Sequence, residues 1–345
     1  MRGLFEITAE KLLSEQVSPA LITACEDGHW PTGLWSAIEA AGLGIALAAE
    51  AHGGVGASWS DAIAIALVAG ARAAPVPLCE TLLANWALSQ VGLDVLEGPL
   101  TVADRHDLDC IDGRATGVAQ AVPWGRSAPH LVAMIAGETP RLLVLATDQA
   151  SIEAGLNTAR EPRDDLHFDA VPVVALADLP QHVSPASLRL GGALLRAAQI
   201  AGGLGQLIDL SVAYANERVQ FGRSIGKFQA IQHQLAVLAA QGALAHAAAD
   251  RAFARVDDGL NMFDVAIAKI CTGEAAGAGA AIAHAVHGAI GFTYEHALHL
   301  TTRRLWSWRD EFGSEASWAD GLGRDACAAK GDGLWPAITR GGFGG

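Results

Sequence analysis

Tyr214-Ala-Asn-Glu-Arg218-Val-Gln220-Phe221-Gly222-Arg223-Ser-Ile225-Gly-Lys-Phe228-Gln229-Ala-Ile-Gln232-His233 decides the reading of this chain, because its arginines, glutamines, phenylalanines and glycines follow an order that helical periodicity does not demand. Arg218 offers a planar fork of N–H donors. The amides of Gln220 and Gln229 can both donate and accept, and the rings of Phe221 and Phe228 can pack on flat partners. Apolar residues recur at three-to-four spacing on both sides: Leu194, Ala197, Ala201, Leu204, Leu207 and Val212 before the stretch, and a matching habit from Phe228 to Val256 after it. The segment reads as the link between two long helices.

Working outward, Leu190 to Asn216, Phe228 to Val256 and Phe263 to Gly288 read as three long antiparallel helices, with a fourth later, which gives an up-and-down bundle over residues 183–345. Residues 99–182 change texture: Leu131–Ile135, Arg141–Ala146 and Ala170–Ala175 are short β-prone runs bounded by Asp, Gly and Pro clusters. Residues 1–98 read as helices at Ala9–Cys25, Pro31–Ala41, Ser58–Ala71 and Cys79–Gln90, broken at His52–Gly56 and at Pro75-Val-Pro77. The expected class is mainly α: an N-terminal helical domain, a small central β domain and a C-terminal four-helix bundle. Low complexity is confined to the closing Gly341-Gly-Phe-Gly-Gly.

At 345 residues the chain can bury a large core without covalent staples. Cys25, Cys79, Cys110, Cys271 and Cys327 are odd in number, scattered and free of any C-x-x-C pair, which suits a reducing compartment and argues against structural zinc. A formal net charge of −14 opposes nucleic acid as a partner, since that binding needs clustered cations. The N-terminus has no apolar run before a small-residue cleavage site, and Glu6 and Glu10 interrupt it early. The most apolar window, Met262 to Ala289, carries Asp264, Lys269 and Glu274, too many charges for a spanning helix. A cytoplasmic, membrane-free protein is the expectation.

The Tyr-x-x-x-Arg-x-Gln-Phe-Gly segment resembles the flavin-binding signature of acyl-CoA dehydrogenases, and other pieces in the same order support it. Pro75-Val-Pro77-Leu-Cys-Glu80 is similar to the family's Pro-x-Pro-x-x-Glu stretch. Glu161-Pro162 with Leu166-x-Phe168-Asp169 resembles the end of its β domain, and His287-Gly288-Ala-Ile-Gly291-Phe292-Thr-Tyr-Glu295-His296 its late glycine-rich turn. The resemblance covers nearly the whole chain and implies FAD. It assigns Arg218, Gln220, Phe221, Phe228, Gln229 and Gln232 to the adenosine diphosphate part of a flavin held mainly by a neighbouring subunit. Gly288 and Gly291 would let backbone amides approach the same ligand. The family's Thr-Glu-Pro-x-x-Gly-Ser-Asp stretch, which touches flavin and substrate, has no counterpart near Thr101 to Asp112.

Desaturation of a CoA thioester needs a carboxylate to take the proton next to the carbonyl. In most of the family it is a Glu twenty residues beyond the aromatic of the glycine-rich turn, which lands here on Phe312, between Glu311 and Gly313-Ser314. Some relatives place it just before an arginine that matches Arg196, and Leu195 stands there. Glu311 is the nearest substitute, one step off register and so rotated by about 100° if helical. Asp310 is a second substitute, and Glu295, in the turn, reads as structural or near the ribose, not as a base. His287, His296 and His299 have metal-like spacing but no completing carboxylate, so they read as turn and core histidines. Trp306, Trp308, Trp318 and Trp335 would seal a subunit interface or line a roomy acyl pocket.

The turn, continued through His299-Leu and Arg303-Arg304, is similar to that of bacterial family members acting on steroid-derived or polycyclic CoA thioesters, in which two different subunits commonly form an α2β2 tetramer. The resemblance thus implies a subunit whose homologous partner carries the Glu, with an acyl-CoA substrate and a flavoprotein electron acceptor. A self-sufficient homo-oligomer using Glu311, oxidation of the same substrates by oxygen, and a scaffold that has lost the flavin are the alternatives.

Overall fold

Val17-Ser18-Pro19 divides the first helix expected from the sequence into two: α1 spans Arg2–Gln16 and α2 spans Pro19–Glu26. Ser18 is extended and accepts from the Leu21 N–H at 3.2 Å, while Pro19, at the first helical position, has no N–H to continue α1. These elements come from a computed structural model that describes residues 1–256 and 259–343; residues 344–345 of the glycine tail lie outside the described residues.

The chain divides into two compact units, Met1–Ile65 with Ala74–Gly192, and Ala66–Ala73 with Ala193–Gly345. In the first, α3 (Thr32–Ala40), α4 (from Trp59, reaching Ala71) and α5 (Leu78–Gln90) follow α1 and α2. Helix α5 is buried on nearly every side. Its Asn85 is fully buried because both ends of its amide are used: Nδ2 donates to Gly44 O and Oδ1 accepts from Leu96 N, each at 3.1 Å.

The β region forms two sheets. Strands β1 (Leu100–Val102), β5 (His130–Ile135), β6 (Arg141–Ala146) and β9 (Ala175–Asp178) lie in the order β1-β5-β6-β9, with β1 parallel to β5 and the other pairs antiparallel. Strands β2 (Arg105–His106), β4 (Arg114–Pro123), β8 (Arg163–Pro172) and β7 (Ser151–Glu153) form the second sheet in the order β2-β4-β8-β7, and β3 (Asp109–Ile111) pairs with β4. The run expected over Ala170–Ala175 is the end of β8 and the connection to β9, because the Val174 N–H turns to Val144 O and β9 pairs with β6. Leu131, Ala133, Leu143, Leu145, Leu166 and Phe168 alternate inward to form the core of this region. Buried Asp164 ties its connections together, accepting from the N–H of Arg126 at 2.8 Å and of Gly155 at 3.1 Å.

The second unit is helical. It contains most of α6 (Ser187–Glu217), then the two-stranded hairpin β10 (Val219–Gln220) and β11 (Arg223–Ser224), α7 (Gln229–Ala254), α8 (Met262–His287), α9 (Leu298–Asp310), α10 (Glu315–Ala328) and α11 (Lys330–Arg340). The bounds of α6, α7 and α8 follow the apolar period within a few residues. Alanine and glycine let these helices approach closely: a Cβ on Gly279 of α8 would lie 2.6 Å from Leu204 Cδ2 of α6 and 3.3 Å from Leu238 Cδ1 of α7. The region Met262–Phe292 is long and apolar enough, by length and composition, to cross a membrane. In the fold α8 is a core helix, with Ala266, Ala275, Ala276, Ala280 and Ala283 wholly buried.

Candidate cofactor cradle and proton-transfer site

Tyr214, Arg218 and the hairpin after them stand at the C-terminal end of α6. The chain reverses there because Phe221 and Gly222 both take positive φ, 53° and 77°, in a two-residue turn that pairs Val219 with Ser224 and Gln220 with Arg223. Positive φ suits Gly222 and strains Phe221, whose ring is 93 % exposed. The Phe221 ring meets the edge of Phe228 at 6.1 Å, and the Arg223 guanidinium covers the face of Phe228 at 4.2 Å.

Arg218, Gln220, Gln229 and Gln232 are all exposed. Gln232 is held by donating from Nε2 to Gly226 O at 3.0 Å. Helix α7 starts at Gln229 with no side-chain cap and no acidic residue in its first turn, so its N-terminal amides meet no negative charge of their own. A guanidinium, three amides, two aromatic rings and an uncapped helix start fit the phosphates and flat ring of a dinucleotide.

The glycine-rich turn meets this end of the unit through Tyr214, which stacks on His287 at 4.5 Å and meets the edge of His296 at 5.9 Å. The two sequence segments are thus neighbours. Gly288 caps α8 at φ 63°, and a Cβ there would have nothing within 4 Å, so its backbone lies open. Gly291 has a packing reason for being glycine: a Cβ would lie 2.9 Å from Leu298 Cδ2 and 3.0 Å from His287 Cβ.

Sequence reading missed how tightly the histidines interlock. His287 donates from Nδ1 to Ala283 O at 2.8 Å, which leaves Nε2 as a buried acceptor without a partner among the described residues. His299 does the same toward His296 O at 2.8 Å, and His284 approaches Thr302 Oγ1 with Nε2 while its Nδ1 finds no partner among the described residues. Burial first, and then the neighbouring histidines, hold His284, His287 and His296 below the usual imidazole range. Only the spacing of His287, His296 and His299 hinted at this. Of the tryptophans, Trp308 and Trp318 are core residues and Trp306 stacks on His284 at 5.7 Å; Trp335 is exposed. The set is therefore divided between core and surface, not one interface or pocket lining.

Leu195 and Phe312, the two positions at which the sequence reading expects a base and finds none, lie at one guanidinium. Arg196 follows Leu195, which is buried, and its Nε donates to Glu311 Oε2 at 2.7 Å. It also lies 5.7 Å from the centroid of buried Phe312 and donates to Gln199 Oε1. Helix α9 ends at Asp310; Glu311 is extended, Phe312 is left-handed at φ 54°, and Gly313 follows at φ 97°. Buried Lys269 of α8 fixes this corner by donating from Nζ to Trp308 O at 2.8 Å and to Arg309 O at 2.6 Å. Burial pushes the Lys269 ammonium down to about 7, with Glu311 and Asp310 opposing the shift and Arg196 and Arg309 adding to it.

A helical N-terminal region, two small sheets and a helical C-terminal unit carrying this cradle define the acyl-CoA dehydrogenase class of fold. Residues 190–315 match the acyl-CoA dehydrogenase C-terminal domain. The chain is 29 % identical to the acyl-CoA dehydrogenase IpdE2 of Mycolicibacterium smegmatis over 309 residues, 88 % of this chain and 91 % of that one. It is 31 % identical to FadE34 of Mycobacterium tuberculosis over 81 % of this chain, spanning 40 % of that longer protein. Among solved structures it superposes on the Tcur3481-Tcur3483 steroid ACAD G363A variant with a TM-score of 0.84 at 25 % identity, covering 93 % of this chain and 96 % of that one. On the ChsE4-ChsE5 complex of Mycobacterium tuberculosis the TM-score is 0.85 at 22 % identity, covering 94 % and 96 %. Residues 190–315 thus carry an acyl-CoA dehydrogenase C-terminal domain, and over most of its length the chain is similar to acyl-CoA dehydrogenases.

Proposed function

We propose that this chain is a subunit of an FAD-dependent acyl-CoA dehydrogenase that introduces an α,β double bond into a CoA thioester, and that a homologous partner chain supplies the proton acceptor. The observation that carries this reading is the Arg196–Glu311 pair. A base must be free to meet a substrate proton, and a carboxylate held at 2.7 Å by a buried guanidinium is committed to that pair. Beside it, Leu195 and Phe312 offer no proton acceptor. Likeness to a steroid ACAD and to the ChsE4-ChsE5 complex supports a heteromer and a bulky, steroid-type acyl group.

FAD, when bound, supplies the acceptor for the hydride. This chain's residues would bind and orient it: Arg218 would pair with the pyrophosphate, Gln220, Gln229 and Gln232 would bond phosphate or ribose, Phe221 and Phe228 would pack on the flat rings, and the Gly288 backbone would approach alongside. The exposure of Phe221 and Val219 suits a cradle completed by another subunit. An electron-accepting flavoprotein would reoxidise the complex.

A self-sufficient homo-oligomer using Glu311 or another carboxylate of this chain is the alternative reading. Co-purification with a homologous dehydrogenase chain, followed by flavin counting and turnover, separates the two. Flavin and activity appearing only in the complex support the heteromer; turnover by the isolated chain overturns it.

A further inference from the structure

The first unit holds a cavity of about 390 Å3 that the flavin reading does not use, bounded by α3, the Leu43–Ile45 turn, α5 and the Val95–Gly98 approach to β1. The size lies within the range of small-molecule sites, and Trp35, Ile38, Ile45, Val95 and Leu96 make its wall largely apolar. It is held open by bonds across it. Asn85 bridges Gly44 O and Leu96 N, and Glu39 Oε1 accepts from the Gly98 N–H at 2.8 Å.

That last bond fixes one carboxylate at the rim with its second oxygen available. Glu97 places another charge in the same lining, which includes no Lys, Arg or His. Two carboxylates beside low-dielectric walls favour a cation and repel phosphate or carboxylate groups, in a chain whose net charge is already −14. CoA, nucleotides and fatty acids are therefore the wrong chemistry here. We propose that this cavity binds a small organic cation, an apolar ring or branched body with an ammonium group, the body against Trp35 and Ile45 and the ammonium between Glu39 and Glu97.

Calorimetric titration of the full-length protein with three probes sharing one ring system tests this: 2-naphthylmethylammonium, 2-naphthylmethanol and 2-naphthoate. The ammonium should bind about tenfold more tightly than the alcohol, and the carboxylate should not bind measurably, since each tenfold is ~1.4 kcal/mol, within reach of two partly screened ion pairs. In the Glu39→Gln, Glu97→Gln double variant the ammonium should fall to the affinity of the alcohol, whose own binding stays unchanged. Ile45→Trp, which fills the space, should weaken both. Naphthoate binding as well as the ammonium, no binding by any probe, or an unaltered ammonium-to-alcohol ratio in the double variant would overturn the assignment. The glutamine variant alters exposed side chains and keeps the acceptor for Gly98, so the test stands even if Ile45→Trp does not fold.

Discussion

Arg196 and Glu311 meet at 2.7 Å across 115 positions of sequence, joining α6 to the residue that ends α9. Arg196 is almost wholly buried and Glu311 mostly so. Removing one charge from such a pair leaves the other desolvated. Glu311→Gln should lower unfolding stability by about 1–3 kcal/mol in urea titrations, the cost of weakening a buried charged contact. Turnover of the reconstituted complex should stay within a few-fold of wild type. A collapse of about a thousandfold, with stability unchanged, would instead identify Glu311 as the base.

Arg218 is exposed, and its assigned work lies in contact with the flavin pyrophosphate. Arg218→Ala should reduce flavin retained through gel filtration about tenfold or more, because a bidentate charged contact contributes on the order of 1.5–3 kcal/mol. Thermal unfolding of the flavin-free protein should not move. Equal flavin content in variant and wild type would remove Arg218 from the cradle.

Lys269 titrates near 7 in the fold, against 10.5 as the ordinary value. The folded protein therefore binds fewer protons than the unfolded chain between those limits, and stability rises with pH across that window and is lost again as pH falls toward 7. Lys269→Met, which also deprives Trp308 O and Arg309 O of their donor, should lack that rise. Comparing unfolding free energies of the two proteins from pH 7 to 10 measures it; parallel curves would mean that the ammonium is not desolvated as the geometry implies.

The interlocked imidazoles have the same sign at lower pH. The folded values of His284, His287 and His296 lie below 6.5, so their contribution is complete above 6.5 and disappears as pH falls through the folded values. A proton on His287 Nε2 would have no acceptor among the described residues. Melting temperature should drop between pH 6.5 and 5, and His287→Phe, which keeps a ring against Tyr214, should flatten that slope. A variant as acid-sensitive as wild type would place the sensitivity elsewhere.

The helical bundle was legible in the sequence because its signal is local. Apolar residues at three-to-four spacing from Leu194 to Val212 report a buried helix face whatever lies against it. Boundaries failed where a local break competed with a good period, as at Ser18-Pro19, or where a strand ended without a turn signature, as after Pro172. The segment from Arg218 to Gln232 was legible as a link between helices for a related reason: it forms one hairpin and one helix start, continuous in sequence.

Sequence alone therefore determined the layers, the family likeness and the absence of a carboxylate at Leu195 and Phe312, since each depends on residue identity at a known spacing. Tertiary structure decided what fills those places: which carboxylate Arg196 holds, why Lys269 can be buried, how four histidines and Tyr214 interlock, and where an apolar cavity opens between two glutamates. These features are set by side chains brought together from distant helices. Burial and Coulomb energy depend on distances in space, which no periodicity along the chain encodes.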